Sequence, residues 1–373
     1  MDWKEELQQS ICNIGQLRDY VRLSREQERN VRKVIQRHPM MITRYYASLI
    51  DWTDPSDPLM KIALPDTGER DLSGSYDTSG EILNTKLQGL QHKYRETALI
   101  LATNKCPVYC RYCFRKRLVG LSTEEVLQRF DNAARYIEQH SEIKNVLISG
   151  GDPLMLRTAT LEKFLNRLLK INHLAFVRIG TRSPVTFPDR ILKDSSLVEL
   201  IRRHSSKWKR LYVVTQYNHP TELTEQSISA VNKIMDAGAA IINQTVLLRG
   251  VNDDPDTLVD LLRTLTKIGV SPYYVFQCRP VKRVKKRFQV PLEEGYRIIE
   301  KARSMLEGPS KIFRYVMSHR NGKIEILGIK DGEVYFKYHQ ARDPRNAGRF
   351  FRRKLARGAC WLDDLKRTHV HTN

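Results

Sequence analysis

Three cysteines in one short segment, KCPVYCRYCFRKR, have a spacing that suits a metal cluster. The segment places Cys106, Cys110 and Cys113 in the pattern C-x3-C-x2-C. Three thiolates can bind three irons of a [4Fe-4S] cube, which leaves the fourth iron open to a small molecule. A zinc site is the alternative, but zinc usually takes a fourth Cys or His at similar spacing, and His92 and His140 are poorly placed for that role. The segment therefore predicts an iron–sulfur cluster with one open coordination position.

The composition limits the kind of protein that carries this cluster. The 373 residues suffice for one large domain or two modest ones. No apolar run reaches the roughly 18 residues of a membrane span, and the charged start of the sequence does not resemble a signal peptide. Six cysteines, three of them clustered, are more typical of a reducing compartment than of a disulfide scaffold. We therefore expect a cytoplasmic protein without a membrane segment.

The chain is strongly basic, with 63 Lys and Arg against 42 Asp and Glu and a net charge of +21. Such a charge raises the hypothesis of a nucleic-acid partner. The basic residues are dispersed, however, with their densest runs at 279–287 and 349–357, and the sequence contains no zinc-finger or RNP-type motif. Phosphates and carboxylates bound inside the protein would also require Arg and Lys. We expect no nucleic-acid substrate, and an RNA-binding iron–sulfur protein remains the alternative from another class.

Six short apolar segments, rich in β-branched residues, alternate with amphipathic helices from residue 97 onward. They are TALILAT (97–103), NVLISG (145–150), FVRIGT (176–181), LYVVTQ (211–216), AIINQTV (240–246) and YYVFQC (273–278). Repeats of a strand and a helix predict parallel strands joined by right-handed crossovers. Six units are too few for a complete eight-stranded barrel. The pattern therefore predicts an α/β fold built on a partial (β/α)6 barrel.

Terminal signals mark several of the intervening helices. Ser122 and Glu125 have the spacing of a capping box and predict a helix from about 123 to 140. Gly238 predicts the end of a helix that covers about 225–237. Asp254 and Pro255 predict the start of a helix that continues to about 268.

The sequence on either side of the barrel predicts two further regions. Residues 1–93 are mostly polar, contain no strong strand pattern, and predict a helical cap. The barrel is expected over 94–308. Residues 309–373 contain three strand-like segments, with a turn at Lys330-Asp331-Gly332 between the last two. We expect a small β-rich C-terminal module that lies over the open side of the barrel.

Residues able to do chemistry follow the predicted strands, at the ends where β/α barrels carry their active sites. The cysteine segment follows the first strand, and Gly150-Gly151-Asp152 follows the second. Arg182 follows the third strand, Gln216 ends the fourth, and Arg279 follows the sixth. We therefore expect these side chains to share one site at the C-terminal face of the barrel.

Longer segments of the chain resemble the lysine 2,3-aminomutase family of radical SAM proteins, in which SAM is S-adenosylmethionine. Tyr112, just before the last cysteine, fits the radical SAM signature, and the resemblance extends over PMMITRYYASLID, GLQHKYRETALIL, SGGDPL, NHPTEL, NQTVLLRGVND and PYYVFQC. It implies a [4Fe-4S] cluster, SAM and pyridoxal 5′-phosphate (PLP) as cofactors. It implies an isomerase that moves an amino group from Cα to Cβ of a small amino acid. A flavodoxin- or ferredoxin-type electron donor and a homo-oligomer are also expected.

The resemblance assigns a role to individual residues. It implies that the cluster ligands are Cys106, Cys110 and Cys113, and that the residues in contact with SAM are Gly150, Gly151, Asp152, Gln216 and Gln244. Arg115 is then the residue that binds the substrate carboxylate. The resemblance also implies that Tyr94 is an aromatic residue beside PLP and that Lys323 binds PLP covalently. The segments FRYVMS and KIEI on either side of the Lys323 loop support that assignment.

Two positions differ from the lysine enzymes of this family. Those enzymes hold the distal ammonium of lysine with two aspartates, which correspond here to Arg279 and Ser318. A buried arginine would repel a lysine ammonium and attract an acidic side chain. The resemblance therefore implies a 2,3-aminomutase for an acidic amino acid such as L-glutamate. Free L-lysine, or a lysine of a protein, is the alternative substrate.

Overall fold

A single mixed sheet passes through the computed structural model, which describes residues 3–205 and 210–367. Consecutive strands are neighbours, so the order of the sheet is the order of the chain. The strands are β1 (Thr85–Leu87), β2 (Leu90–Tyr94), β3 (Thr97–Thr103), β4 (Asn145–Gly150), β5 (Phe176–Gly180), β6 (Leu211–Thr215), β7 (Ala240–Leu247), β8 (Ser271–Gln277), β9 (Arg314–His319), β10 (Gly322–Lys330), β11 (Glu333–Ala341), β12 (Phe350–Lys354) and β13 (Lys366–Arg367).

Helices precede the sheet and separate its central strands. In the described residues they are α1 (Trp3–Gln8), α2 (Ile14–Leu17), α3 (Arg25–Ile35), α4 (Arg44–Ala47), α5 (Pro58–Ala63), α6 (Glu81–Asn84), α7 (Phe130–Gln139), α8 (Thr158–Leu168), α9 (Ser183–Thr186), α10 (Asp189–Leu192), α11 (Ser195–His204), α12 (Glu225–Asp236), α13 (Pro255–Lys267), α14 (Lys285–Phe288) and α15 (Leu292–Met305). None of these described helices has the length and apolar character needed to span a bilayer. As predicted, α13 begins after Asp254 as its N-cap, and α12 ends before Gly238, whose φ is 91°.

Six central strands, β3 to β8, pair in parallel as the sequence predicts. Their registers align β-branched residues, for example Ile148 with Ile179 and Val213 with Ile241, and all four side chains are buried. The helices between the strands supply the opposing apolar side chains of the same core. Burial of each such aliphatic side chain contributes about 1.5–3 kcal/mol. The predicted α/β fold with a six-stranded parallel barrel is therefore confirmed.

The sheet continues beyond the barrel on both sides. On the N-terminal side, β2 pairs antiparallel with β3, so the region predicted as a helical cap also contributes to the sheet. The sequence of β2, LQHKY, lacks an apolar alternation, and its pairing with β3 stabilises it instead. On the other side, β9 pairs in parallel with β8, and β10 to β13 follow in antiparallel order. The three predicted C-terminal strands are confirmed, whereas the domain boundaries near 93 and 308 stay a prediction.

One predicted helix is shorter than its capping signal indicates. Ser122 and Glu125 predicted a start near residue 123, but α7 begins at Phe130. Glu125 binds Arg117 instead, with its carboxylate 2.9 Å from the arginine Nε. Arg117 is largely buried, and a buried guanidinium needs a counter-charge more than an exposed helix end needs a cap.

The N-terminal helices pack against the cysteine segment. A second apolar core joins Ile42 and Tyr46 of the N-terminal region to Val108 and Tyr112 of that segment. The Tyr109 amide also donates to the Met41 carbonyl at 2.9 Å. The N-terminal cap therefore fixes the backbone from which the cysteine side chains project.

Candidate active site

A cavity of about 320 Å³ opens at the C-terminal ends of the barrel strands. Its volume is in the range of sites that bind small molecules. The residues that line it include every site residue predicted from the sequence: Tyr94, Cys106, Cys110, Cys113, Arg115, Gly150, Gly151, Asp152, Gln216, Gln244, Arg279, Ser318 and Lys323. The structure therefore brings all the predicted site residues to one chamber, although the role of each stays a prediction.

The three cysteines lie close together between β3 and α7. Burial raises the pKa of the Cys106 and Cys113 thiols, and the neighbouring cysteines raise it further. Such thiols lose their protons when a metal binds. Among the described residues, no group of three or more Cys, His, Asp or Glu side chains converges on one metal ion. A [4Fe-4S] cube takes each thiolate on a different iron, and three thiols from one short segment fit that donor set.

The Gly150-Gly151 pair packs the end of β4 closely against the start of the cysteine segment. The Gly151 amide donates to the Thr103 carbonyl at 2.6 Å, and the Asp152 amide donates to the Lys105 carbonyl at 2.7 Å. A Cβ on Gly151 would lie 2.8 Å from the Lys105 carbonyl carbon. Gly150 has a φ of 124°, which residues with side chains rarely adopt. The structure thus gives these glycines a packing role that the sequence did not predict.

The Asp152 carboxylate is already engaged by the protein. It accepts hydrogen bonds from the Thr181 hydroxyl at 2.7 Å, the Ser183 hydroxyl at 3.1 Å and the Arg182 amide at 2.9 Å. Only 2 % of Asp152 is exposed. Its side chain therefore connects the loop after β4 to the loop after β5, and a contact between this carboxylate and SAM stays a prediction.

Arg182 contacts a predicted cluster ligand. Its Nη1 lies 2.7 Å from Sγ of Cys110, its Nη2 pairs with Glu222 at 2.5 Å, and its Nε donates to the Gln216 carbonyl at 2.9 Å. Hydrogen bonds to ligating sulfurs are among the factors that set the reduction potential of a cluster. Arg182 is therefore placed where it would affect electron transfer to the cluster.

A hydrogen-bonded chain holds the aromatic residue of the cysteine motif. The Tyr112 hydroxyl donates to Oε1 of Gln216 at 3.0 Å and accepts from Nδ2 of Asn218 at 2.6 Å. Gln244 lies on β7 at the same cavity. Both predicted glutamines thus lie beside the cysteine segment, where a molecule bound to the open iron would meet them.

Lys323 lies near the start of β10, opposite Ser318 on β9 and Gln340 on β11. Its Nζ lies 4.3 Å from the centre of the Tyr274 ring. No carboxylate within the described residues pairs with it. The lysine therefore presents an amine to the cavity without an anionic partner.

The surroundings of Lys323 favour its neutral form. Burial, followed by the charges of Arg178, Lys93 and Arg279, lowers its pKa to about 7. A neutral amine is the form that attacks an aldehyde such as that of PLP. Burial also lowers the pKa of Lys93 to about 7, and its Nζ donates to the Ser79 carbonyl at 3.0 Å and to a second carbonyl.

Arg115 is held by a residue that the sequence did not predict. Its Nε lies 3.3 Å from Oε1 of Glu81, and its Nη1 donates to the Ser149 hydroxyl at 3.0 Å and the Gly150 carbonyl at 3.1 Å. Although burial alone would raise it, Arg115 and Arg117 lower the pKa of Glu81 to about 2. Glu81 is therefore an anion that fixes the arginine expected to bind the substrate carboxylate.

Arg279 enters the cavity without a direct anionic partner in the described residues, although the charge of Glu81 acts on it. Its guanidinium carbon lies 4.0 Å from the centre of the Phe114 ring, and its side chain forms no hydrogen bond or ion pair with a described residue. Burial lowers its pKa to about 10, so it stays protonated at neutral pH. Donor atoms at the cavity that are buried without a partner in the described part of the chain include Gln91 Nε2, Arg178 Nε and Arg279 Nη1. Unpaired buried donors are costly, so their concentration here fits a site that takes polar ligands.

Sequence reasoning missed several of these groups. Glu81 lies in a polar segment that carries no motif, so nothing in the sequence distinguished it. Lys93 directly precedes the predicted Tyr94, and its position in a family-like segment was a usable signal. Arg178 is a charged residue in the middle of an apolar strand, which is also a signal because such a residue must face a polar site.

Comparisons with known proteins agree with this geometry. The sequence model of the radical SAM superfamily matches residues 100–262. A provisionally named L-lysine 2,3-aminomutase of Aquifex aeolicus is 44% identical over 91% of this chain and 91% of that protein. The L-lysine 2,3-aminomutase of Clostridium subterminale is 37% identical over 82% of this chain and 73% of that protein. The glutamate 2,3-aminomutase of Clostridioides difficile is 33% identical over 82% of this chain and 72% of that protein.

These similarities extend over most of the chain and of each relative. They show an isomerase that uses radical SAM chemistry, and that superfamily implies a [4Fe-4S] cluster and SAM. Three neighbouring cysteine thiols fit those groups, in a cavity that also contains buried polar atoms without a partner in the described residues. The chain belongs to the lysine 2,3-aminomutase family of radical SAM enzymes.

Proposed function

We propose that this protein is a PLP-dependent 2,3-aminomutase for an acidic amino acid such as L-glutamate. In the reaction the amino group moves from C2 to C3 while a hydrogen moves from C3 to C2. With glutamate the product is 3-aminopentanedioate. The cluster and SAM supply a carbon radical that removes hydrogen, and PLP carries the migrating nitrogen. The protein itself binds and orients these ligands and keeps their charged groups apart.

The Lys323 end of the cavity supports a PLP site. The lysine has a pKa lowered to about 7, and the cations that lower it, Arg178 and Lys93, suit a phosphate group. Arg178 keeps its Nε unpaired, so a phosphate oxygen would satisfy a buried donor. The ring of Phe276, which lines the cavity 5.9 Å from the amine, offers an apolar surface for a planar cofactor.

The proposal of an acidic substrate rests mainly on Arg279, whose guanidinium forms no hydrogen bond or ion pair with a described residue. Six basic side chains line the cavity against two acidic ones, Glu81 and Asp152, and both acidic groups are bonded inside the protein. The acidic neighbour whose charge acts on Arg279 is Glu81, but its carboxylate is bound to Arg115 and Arg117, so a lysine ammonium would still meet a net positive group. A second carboxylate on the substrate would instead satisfy the buried Nη1.

The names of the relatives do not decide between the substrates. Those reported above include lysine enzymes at 37–44% identity and a glutamate enzyme at 33%. Overall sequence identity is averaged over the whole chain, whereas only a few side chains contact the distal group of the substrate and determine which substrate binds. Arg279 and Ser318 are both at the cavity.

The remaining partners are also proposals. A radical SAM enzyme requires a reductant, and the net charge of +21 suits an acidic flavodoxin or ferredoxin. We propose a cytoplasmic homo-oligomer, because an iron–sulfur cluster requires reduced thiols and the family resemblance implies assembly.

A charge reversal at Arg279 tests the proposal. The reconstituted protein is given SAM, PLP, reductant and either L-glutamate, L-aspartate or L-lysine. The charge-assisted hydrogen bond to an acidic substrate contributes about 1.5–3 kcal/mol and the absence of a like-charge clash adds to it, so the wild type should prefer glutamate over lysine by at least roughly tenfold, and up to about a thousandfold, in kcat/KM. Arg279→Asp should erode that preference, whereas the exposed Arg202→Asp should not. Efficient wild-type conversion of lysine without any turnover of an acidic amino acid would exclude the proposal.

A further inference from the structure

The ring of Phe114 contacts two arginines that face the cavity. The guanidinium carbon of Arg279 lies 4.0 Å from the ring centre, and that of Arg115 lies 4.6 Å from it. Because both distances share one centre, the two guanidinium carbons are at most 8.6 Å apart. Phe114 directly follows Cys113 and packs against the apolar core of the N-terminal helices. The ring is therefore anchored on the segment that carries the cluster ligands.

The two arginines depend on this ring to different degrees. Arg115 is also bound by Glu81, Ser149 and a backbone carbonyl. The side chain of Arg279 forms no hydrogen bond or ion pair with a described residue, and its Nη1 is buried without a partner. Glu81 acts on this guanidinium through its charge without forming an ion pair, and the face of Phe114 is the ring that lies against it.

An aromatic face holds a cation in a way that a carboxylate cannot. A carboxylate would orient a guanidinium but would also occupy its N–H groups and cancel its charge. A ring attracts the cation through its quadrupole and leaves the N–H edge and the charge available to a ligand. For a partly buried guanidinium such as that of Arg279, this attraction is comparable with the rotational entropy of a long side chain.

We propose that Phe114 is a positioning residue that sets the spacing between Arg115 and Arg279, so that the site selects a short amino acid with two carboxylates. The proposal rests on the proposed function, in which Arg115 binds the α-carboxylate and Arg279 binds the distal one. Two guanidinium carbons at most 8.6 Å apart can engage both carboxylates of one short molecule such as aspartate or glutamate, and we expect longer dicarboxylic amino acids to bind less well. Phe114 itself does not touch the migrating group.

The test compares Phe114→Leu with Phe114→Tyr in the holoenzyme. Leu keeps the apolar anchor but lacks an aromatic face, whereas Tyr keeps the face. Phe313→Leu is the matched control, because Phe313 is a buried ring beside Arg303 that does not line the cavity. Binding is measured without SAM from the change in PLP absorbance on addition of L-glutamate or L-2-aminoadipate. Turnover with SAM then separates KM from kcat.

For Phe114→Leu we expect the Kd and KM of glutamate to rise by about tenfold or more, with kcat changed much less. The preference for glutamate over 2-aminoadipate should decrease in the same variant. Phe114→Tyr and Phe313→Leu should stay within about threefold of the wild type. If Phe114→Leu fails to take up PLP, Phe114→Met is judged by the same criteria.

Two results would overturn the inference, and they differ from failure of the proposed function. Wild-type glutamate binding in the Leu or Met variant would remove any positioning role for the ring. A Tyr variant as weak as the Leu variant would mean that shape and not the aromatic face matters. If the wild-type enzyme accepts no dicarboxylic amino acid, the proposed function itself fails, and this inference fails with it.

Discussion

Replacing Gly151 by Ala tests how the structure holds the cysteine segment. The new Cβ would lie 2.8 Å from the Lys105 carbonyl carbon, whereas ordinary contacts begin near 3.4 Å. The obstacle is backbone, so the segment before Cys106 would have to move by at least 0.6 Å. Overpacking of this kind costs about 1–3 kcal/mol, and it would also weaken the hydrogen bond from the Asp152 amide to Lys105.

The substitution should affect the assembly of the cluster more strongly than the stability of the whole protein. A shift of this size next to a ligand disturbs a site whose function depends on geometry, and a misplacement of about 1 Å costs about a hundredfold in rate. We therefore expect Gly151→Ala to lose a large part of its iron after anaerobic reconstitution and to cleave SAM roughly tenfold more slowly or worse. The measurements are iron and sulfide per chain, the EPR signal of the reduced cluster, and SAM cleavage, with the melting temperature as a check on folding.

The control is Gly328→Ala, because a Cβ there meets nothing closer than 3.7 Å. Wild-type iron content and SAM cleavage in Gly151→Ala would refute the packing argument. Full iron content with loss of SAM binding alone would instead support the sequence-based expectation that Gly151 is needed for close approach to SAM.

Three further predictions concern the cavity. Lys323→Ala should abolish covalent trapping of PLP by borohydride. In the wild type the rate of PLP uptake should fall roughly tenfold per pH unit below pH 7, because a pKa of about 7 leaves the amine neutral above that pH and protonated below it; a flat profile between about pH 6 and 8 would contradict this. Arg182→Gln should shift the cluster to a more negative reduction potential, measured by EPR-monitored titration, because a cation at Cys110 Sγ favours the reduced state; an unchanged potential would refute that role. Glu81→Gln should raise the KM of the substrate several-fold and leave PLP uptake intact, since it loosens Arg115 and is not among the charges that shift the pKa of Lys323; wild-type kinetics would mean that Arg115 needs no anion to hold it.

The barrel could be predicted from sequence because its signals are local. Each central strand is a short β-branched run, and each predicted run from TALILAT to YYVFQC formed a strand. The cysteine spacing and the residues after each strand then located the cavity, since the C-terminal ends of parallel strands meet at one face. These inferences needed only periodicity and chain order.

Other features depend on contacts that a segment makes outside itself and could not be predicted. Glu81 lies in a polar segment and becomes part of the site only because Arg115 and Arg117 are folded against it. Glu125 matched a capping box, but its ion pair with Arg117 took precedence over the helix start. The strand β2 forms through pairing with β3 and not through its own pattern. In each case a contact with another segment decides the structure, and the pattern of the segment itself does not reveal it.

A labelling experiment tests the central claim most directly. The reconstituted enzyme is incubated with SAM, reductant, PLP and an equimolar mixture of L-lysine and L-glutamate deuterated at C3, and the products are analysed by mass spectrometry and NMR. We predict that 3-aminopentanedioate forms in preference to β-lysine, and that deuterium from C3 appears in the 5′-deoxyadenosyl group. Exclusive formation of β-lysine, or formation of 3-aminopentanedioate without transfer of deuterium to the adenosyl group, would contradict this account.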